Sequence, residues 1–232
     1  MVRAVVDLLL PLSCAACGAP TRDGLCADCG AELPELALDD GAAVDLAPGV
    51  RAVGAYAYAG PVAASIKHVK TPGRHGAAPA LGRLLRYELA LPPSRRAPWA
   101  VTWVPSTRRR RAARGAEIPR LLAGPGARRL LRRIRDAPDQ TTQDRAGRLS
   151  GPVGAFRAIG PVPPRVLLVD DVRTTGATAT AAAGALRAAG ARRVLVATLA
   201  VAESPGARDA PGAADRTEPA PTDRPRNRLG TG

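Results

Sequence analysis

The sequence predicts an α/β fold: a parallel sheet flanked by helices, with a small cysteine-bearing module ahead of it. Three observations carry this. Arg165 to Val201 reads as strand, helix and strand. Upstream, apolar runs of strand length alternate with segments whose leucines recur at helical spacing. All four cysteines of the chain lie between positions 14 and 29, outside either pattern.

The elements follow in order. Val5 to Leu12 is apolar but broken by Asp7, so it reads as a short amphipathic helix leading into the cysteines rather than as a targeting signal. Cys14, Cys17, Cys26 and Cys29 are spaced C-x2-C-x8-C-x2-C, and each pair is followed by a glycine, Gly18 or Gly30. Two such knuckles suit a tetrahedral Zn2+. Disulfides are the alternative, disfavoured in a chain that reads as cytoplasmic, and redox chemistry at one pair would leave the other unexplained. Four thiolates leave no open coordination position, so the expected zinc is structural. Glu32 to Pro48, acidic and punctuated by proline, reads as a linker. The first domain is therefore placed at 1–45.

The second domain is placed at 46–203. Val50 to Ala59 predicts a strand ended by Gly60-Pro61, and Val62 to Lys70 a short helix. Leu81, Leu84, Leu85 and Leu89 predict an amphipathic helix stopped by Pro92-Pro93. Trp99 to Val104 reads as a strand that puts both tryptophans of the chain in the core. Arg111 to Leu122 reads as helix, against the grain of Pro119, and Leu130 to Ile134 as strand. Gln140 to Gly154 is loop-like. Val166 to Val169 is a continuous apolar run, as expected for a strand buried on both faces. Ala177 to Ala189 is helical with Gly190 as its cap, and Val194 to Val201 is the next strand. From residue 204 onward the chain is polar and proline-rich and reads as a disordered tail.

Composition narrows the function. The chain of 232 residues carries a formal net charge of +14. Between Trp103 and Arg148 there are 13 Arg against 4 acidic residues, whereas the last thirty residues balance. Such a middle segment suits a phosphorylated ligand or a nucleic acid. Only 3% of residues are aromatic, which weighs against a base-stacking platform. No segment reaches the roughly 20 apolar residues of a membrane span. His68 and His75 read as solvent-exposed loop histidines.

The chemistry concentrates after the strand at 166–169, in Asp170-Asp171-Val172-Arg173-Thr174-Thr175-Gly176-Ala177-Thr178. Ligands of open α/β sheets bind beyond the carboxyl ends of strands. Adjacent carboxylates there accept hydrogen bonds from a vicinal diol. The hydroxyls, the glycine and the N–H groups at a helix start form an anion cradle. A diol acceptor beside a phosphate cradle describes a ribose 5-phosphate. Neither G-x-x-x-x-G-K-[ST] nor a G-x-G-x-x-G after a strand is present.

This segment resembles the 5-phosphoribosyl 1-diphosphate (PRPP) motif of type I phosphoribosyltransferases. The chain from about residue 5 to 202 resembles the ComF family, which joins an amino-terminal zinc ribbon to that fold. Beyond the motif and the cysteines, the resemblance rests on Tyr56 and Tyr58 before Ile66-Lys67 and Lys70, the Val104-Pro105 turn and Arg114-Gly115. It continues through Asp139-Gln140, Arg148 and Gly154-Ala155-Phe156. It implies that Asp170 and Asp171 hold the ribose hydroxyls, partly through Mg2+, as the catalytic pair. Thr174, Thr175, Gly176, Ala177 and Thr178 would cradle the 5-phosphate. Ser106 and Arg108 would lie near the pyrophosphate, and Asp136 to Arg148 would cover the site. The implied reaction is displacement of pyrophosphate from ribose C1 by a nitrogen acceptor. The family's link to natural competence implies an alternative: a catalytically silent module that binds single-stranded DNA or a competence protein. The chain departs from its relatives' patterns at Thr174, where purine-salvage enzymes carry an acid. It departs again at Ala116-Glu117, where Asn-Gln is frequent, and at Gly151, where Asn is.

Overall fold

The computed structural model describes residues 13–91, 99–134 and 154–202. The lead helix expected at 5–12, the Pro92-Pro93 stop, the covering segment at 136–148 and the tail from 204 fall outside these residues.

Among the described residues seven strands form two sheets. β1 (Val44–Ala47), β2 (Val50–Ala57), β3 (Ala100–Trp103), β6 (Arg165–Arg173) and β7 (Arg193–Val201) make a five-stranded sheet in the order β1-β2-β7-β6-β3. β1 is antiparallel to β2, and every other pairing is parallel. β4 (Leu131–Arg133) and β5 (Phe156–Ala158) form a separate antiparallel pair. The central sheet is thus mostly parallel with helices on both faces, as the alternating pattern predicts.

The apolar run in β6 serves both faces. Leu167 and Val169 point to one side, where they pack with Ile66 of α3 (Gly60–Val69) and Leu85 of α4 (Ala78–Glu88). Ile118 and Leu122 of α6 (Ile118–Ala123) complete that layer. Val166 and Leu168 point to the other side, against Ala182, Ala183 and Leu186 of α7 (Ala177–Ala188) and against Leu131 and Phe156. Alternation of successive side chains puts two cores on one strand. The alanines of α7 let that helix lie close to the sheet, and Gly190 ends it at φ +111.

The helix expected from Arg111 to Leu122 is two helices, α5 (Arg108–Arg114) and α6. Gly115 breaks them apart in the left-handed region at φ +78, and Pro119 sits in the first turn of α6, where its missing N–H costs nothing.

The stretch expected to be a linker has regular structure. Directly after α1 (Ala27–Ala31) it contains α2 (Leu33–Leu36), a 3-10 turn (Asp39–Ala42) and β1, which joins the main sheet. The cysteine module also shares the main core. Cys14, Ala15, Leu25 and Cys29 are buried in one cluster with Tyr56, Val62, Ala77 and Leu81. Gly24 lies so close to the Ala80 methyl that it has no room for a Cβ of its own. No helix among the described residues is long and apolar enough to cross a membrane.

Candidate functional site

The four cysteines come together. Their sulfurs all lie within 4.8 Å of one another, and Cys17 and Cys26 are 3.5 Å apart. A tetrahedron with Zn–S near 2.3 Å has edges of about 3.8 Å, so this cluster can hold a metal ion such as zinc. Both knuckles close in the same way: the Gly18 N–H donates to the Cys14 carbonyl and the Gly30 N–H to the Cys26 carbonyl, each at 2.9 Å. Gly18 takes φ +82, whereas Gly30 lies inside α1. Burial raises the Cys14 thiol, but N–H donors at Cys17, Cys26 and Ala16 outweigh it and bring the thiol down to about 6. Burial and then its neighbouring thiols push Cys29 up. Four thiols packed this tightly favour a cation in their midst.

The second site lies where β6 outruns β3. The β3–β6 ladder ends at Trp103 and Val169, with the Val104 N–H donating to the Val169 carbonyl at 2.9 Å. Asp170 and Asp171 come next. They are not in a loop, as the sequence suggested: β6 continues to Arg173 because its ladder with β7 runs on through Asp170–Thr198 and Arg173–Val201. The acidic pair therefore sits on a rigid strand with one edge open, at the carboxyl side of the sheet.

The two carboxylates have different environments. Asp171 pairs with Lys70 at 2.8 Å, both side chains mostly buried. Asp170 accepts the Asp171 N–H at 2.9 Å. Burial and then the Asp171 charge push the Asp170 carboxyl up to about 8, against the pull of that N–H, Lys70 and Arg133. Burial therefore favours the protonated form of Asp170, and a cation or a hydrogen-bond donor placed against it would favour the charged form.

Thr174, Thr175 and Gly176 make the tight turn into α7. Both threonines are exposed, and Gly176 is the helix N-cap at φ +78. Thr175 Oγ1 accepts from the Ala177 N–H at 3.4 Å, and Thr180 Oγ1 donates to the Gly176 carbonyl at 3.0 Å. An L side chain would be strained at φ +78, and its Cβ would also come 2.9 Å from the Leu46 Cδ2 methyl of β1, so the backbone conformation favours glycine at this corner. Ala177 and Thr178, both half-buried, open the helix. The structure thus keeps 174–178 together as one turn at a helix N-terminus, two residues beyond the acids.

Ser106 is half-buried between β3 and α5, and Arg108 is exposed at the first position of α5. Thr107 caps that helix by accepting the Arg110 N–H at 3.1 Å. Two residues outside the sequence-derived site set converge on the acidic pair. Lys70 arrives from the end of α3. Arg133 arrives from β4, its guanidinium 4.9 Å from the Phe156 ring centre and 3.5 Å from the Pro105 carbonyl. Nothing in a chain this rich in arginine singles out Arg133.

The histidines differ from expectation. His68 lies within α3 and His75 is half-buried, with Nδ1 2.9 Å from the Val69 carbonyl. Trp103 is buried in β3 and donates to Glu117 Oε2 at 3.2 Å, while Trp99 is half-buried just ahead of β3. No protein-family model matches the chain, and none of the curated proteins matches it.

Proposed function

We propose that the chain is a PRPP-binding protein of the type I phosphoribosyltransferase class, and within that class of ComF type. The observation that carries this is the run from β6 to α7: two carboxylates on the open strand edge, then a glycine-cornered turn into a helix N-terminus. In this reading Asp170 and Asp171 hold the ribose hydroxyls, with Mg2+ bound at the same carboxylates when the ligand is present. Mg2+ would supply charge neutralisation of the departing pyrophosphate. Thr174 to Thr178 cradle the 5-phosphate through N–H and hydroxyl donors, which the helix dipole favours. Arg133 and Lys70 set the charge of the carboxylates, and Ser106 and Arg108 lie on the side from which pyrophosphate leaves.

Positive charge builds on the ribose ring as the C1–O bond breaks. A strand-held carboxylate pair faces that charge without having to reorganise. No acid stands at Thr174 to deprotonate an acceptor, so the acceptor must arrive with a free nitrogen lone pair. The cysteine cluster acts as a structural zinc site in the same reading, since its four thiols are all used in holding the ion.

Calorimetric titration of PRPP with Mg2+ tests this directly. Saturable binding that is lost on Asp170→Ala with Asp171→Ala is expected. Absence of binding, or binding unchanged by the double substitution, refutes the assignment. Four consecutive arginines at the start of α5, three of them exposed, support the second reading, a surface for single-stranded DNA. It predicts salt-dependent retention of a single strand that disappears when Arg108 to Arg111 are neutralised.

A further inference from the structure

We propose that the concave face at the amino ends of β2 and β7 is a second ligand site, taking a planar aromatic anion of mononucleotide size. An open groove there, partly exposed to solvent, has a volume of about 710 Å3, room enough for a molecule of mononucleotide size to lie along it. On the face that carries the arginines its apolar lining is Leu195 and Trp99, while Leu46 and Val50 line it from the edge and belong to the opposite face. Two arginines, Arg51 and Arg193, line it together with Asp45.

Strand register explains why the cations gather. Arg193 and Leu195 are two residues apart and so share a face of the sheet. Arg51 is the register partner of Leu195, and Arg165 is that of Arg193. All three arginines therefore project from one side at neighbouring positions, and all three are exposed. Like charges side by side on a sheet face repel. Among the described residues none of the three has an ion-pair partner. Asp45 stands opposite Arg51 in the β1–β2 register but does not pair with it. An anion bridging the guanidiniums removes the repulsion, and the guanidinium fork matches phosphate oxygens. The half-buried Trp99 and the apolar lining call for a flat ring on the same molecule, and Asp45 can accept from an amino or hydroxyl group at its edge.

The site is distinct from the acidic pair. Arg165 and Asp170 lie five residues apart on β6, about 17 Å at 3.2–3.4 Å per residue, and at opposite ends of the sheet. The inference therefore stands whether or not the acidic pair binds PRPP.

The test uses the full chain carrying Asp170→Asn and Asp171→Asn, so that a ligand at the acidic pair cannot account for the signal. Adenosine 5′-monophosphate, adenosine and inorganic phosphate are titrated separately, by calorimetry and by tryptophan fluorescence. The expected result is saturable binding of the monophosphate with a change in emission, and at least about tenfold weaker binding of the other two probes, which lack the phosphate or the ring. Arg51→Ala with Arg193→Ala should weaken the monophosphate by about tenfold or more without lowering the melting temperature. Trp99→Phe should abolish the fluorescence change, because Trp103 is buried in the core. Should the double-Asn background not fold, the arginine and tryptophan substitutions are read in the otherwise unchanged chain. The proposal is overturned if the monophosphate does not saturate, if adenosine binds as well as the monophosphate, or if the arginine pair can be removed without loss.

Discussion

Alanine for glycine inside a helix ordinarily gains up to about 1 kcal/mol, yet at Gly82 the sign should reverse. Gly82 is buried in α4, directly against the backbone of α6. A Cβ at this position would lie 2.9 Å from Leu122 Cα and 3.0 Å from its carbonyl carbon, with the carbonyl oxygen closer still. Backbone atoms have no rotamer to escape into. Restoring ordinary carbon contacts of about 3.5–4.0 Å requires α4 and α6 to part by about 1 Å. That separation loosens Leu81 and Leu85 from Leu122. It also stretches the bonds from Arg86 to the Leu122 and Ala123 carbonyls, now 3.1 and 3.0 Å. Overpacking costs about 1–3 kcal/mol, and a clash with backbone that cannot rotate away falls in the upper part of that range, about 2–3 kcal/mol. After the propensity gain the net loss should be about 1–2 kcal/mol, or about 2–8 °C in melting temperature at this chain length. Gly184 provides the control. It lies on the exposed side of α7 with nothing within 4 Å of its would-be Cβ, so Gly184→Ala should stabilise by about 0.5–1 kcal/mol. Urea unfolding followed by circular dichroism separates the two variants by their midpoints. A Gly82→Ala protein with a midpoint at or above that of the unsubstituted chain would refute the packing argument.

Three further outcomes follow from the sites. Removing metal by chelation, or substituting Cys14→Ser, should lower stability by ~3 kcal/mol or more, about 6–12 °C, because Cys14 and Cys29 belong to the main core; an unchanged melting curve would contradict a structural metal. Asp170 has a folded pKa of about 8 against an ordinary 3.8, so the folded state holds a proton that the unfolded chain releases. The stability of the Mg2+-free protein should therefore fall as pH rises from about 4 to about 8 and level off above. Asp170→Asn should remove that slope, and melting profiles that stay parallel between pH 5 and 9 would count against it. Lys70→Met leaves Asp171 beside Asp170 without its cation. It should cost about 1–2 kcal/mol at neutral pH, discounted for the partial exposure of the pair, and millimolar Mg2+ should restore part of the loss; a variant as stable as its parent without Mg2+ would show that the pair contributes nothing.

Local pattern carried the second half of the chain well. The apolar run at 166–169, the alanines from 177 and Gly190 each depend on nearest neighbours, and all three fall where periodicity places them. The extension of β6 through Asp170 to Arg173 was hidden because acidic residues read as loop; what keeps them in the strand is the β7 ladder, a partner some 30 residues away. Residues 32–48 failed for a related reason. Acidic and proline-rich composition resembles a linker, but Val44 and Leu46 alternate along a short edge strand whose pairing with β2 decides its state. At the candidate site, the motif from Asp170 to Thr178 was legible because its parts are contiguous. Lys70 and Arg133 were not assigned to it, since only the tertiary fold brings α3 and β4 to one carboxylate pair.

The strand order also sets a clock. β2 is complete at Ala57, but the neighbour it bonds to along its whole length, β7, begins only at Arg193. At about 5–20 residues per second, ribosomal synthesis of that interval takes about 7–27 s. Throughout it the hairpin of β1 and β2 presents a naked hydrogen-bonding edge that no earlier part of the chain can cover. Among the described residues β7 comes last and bonds to both β2 and β6, so a nascent chain of this protein stays open to chaperones and to wrong partners until β7 has been synthesised.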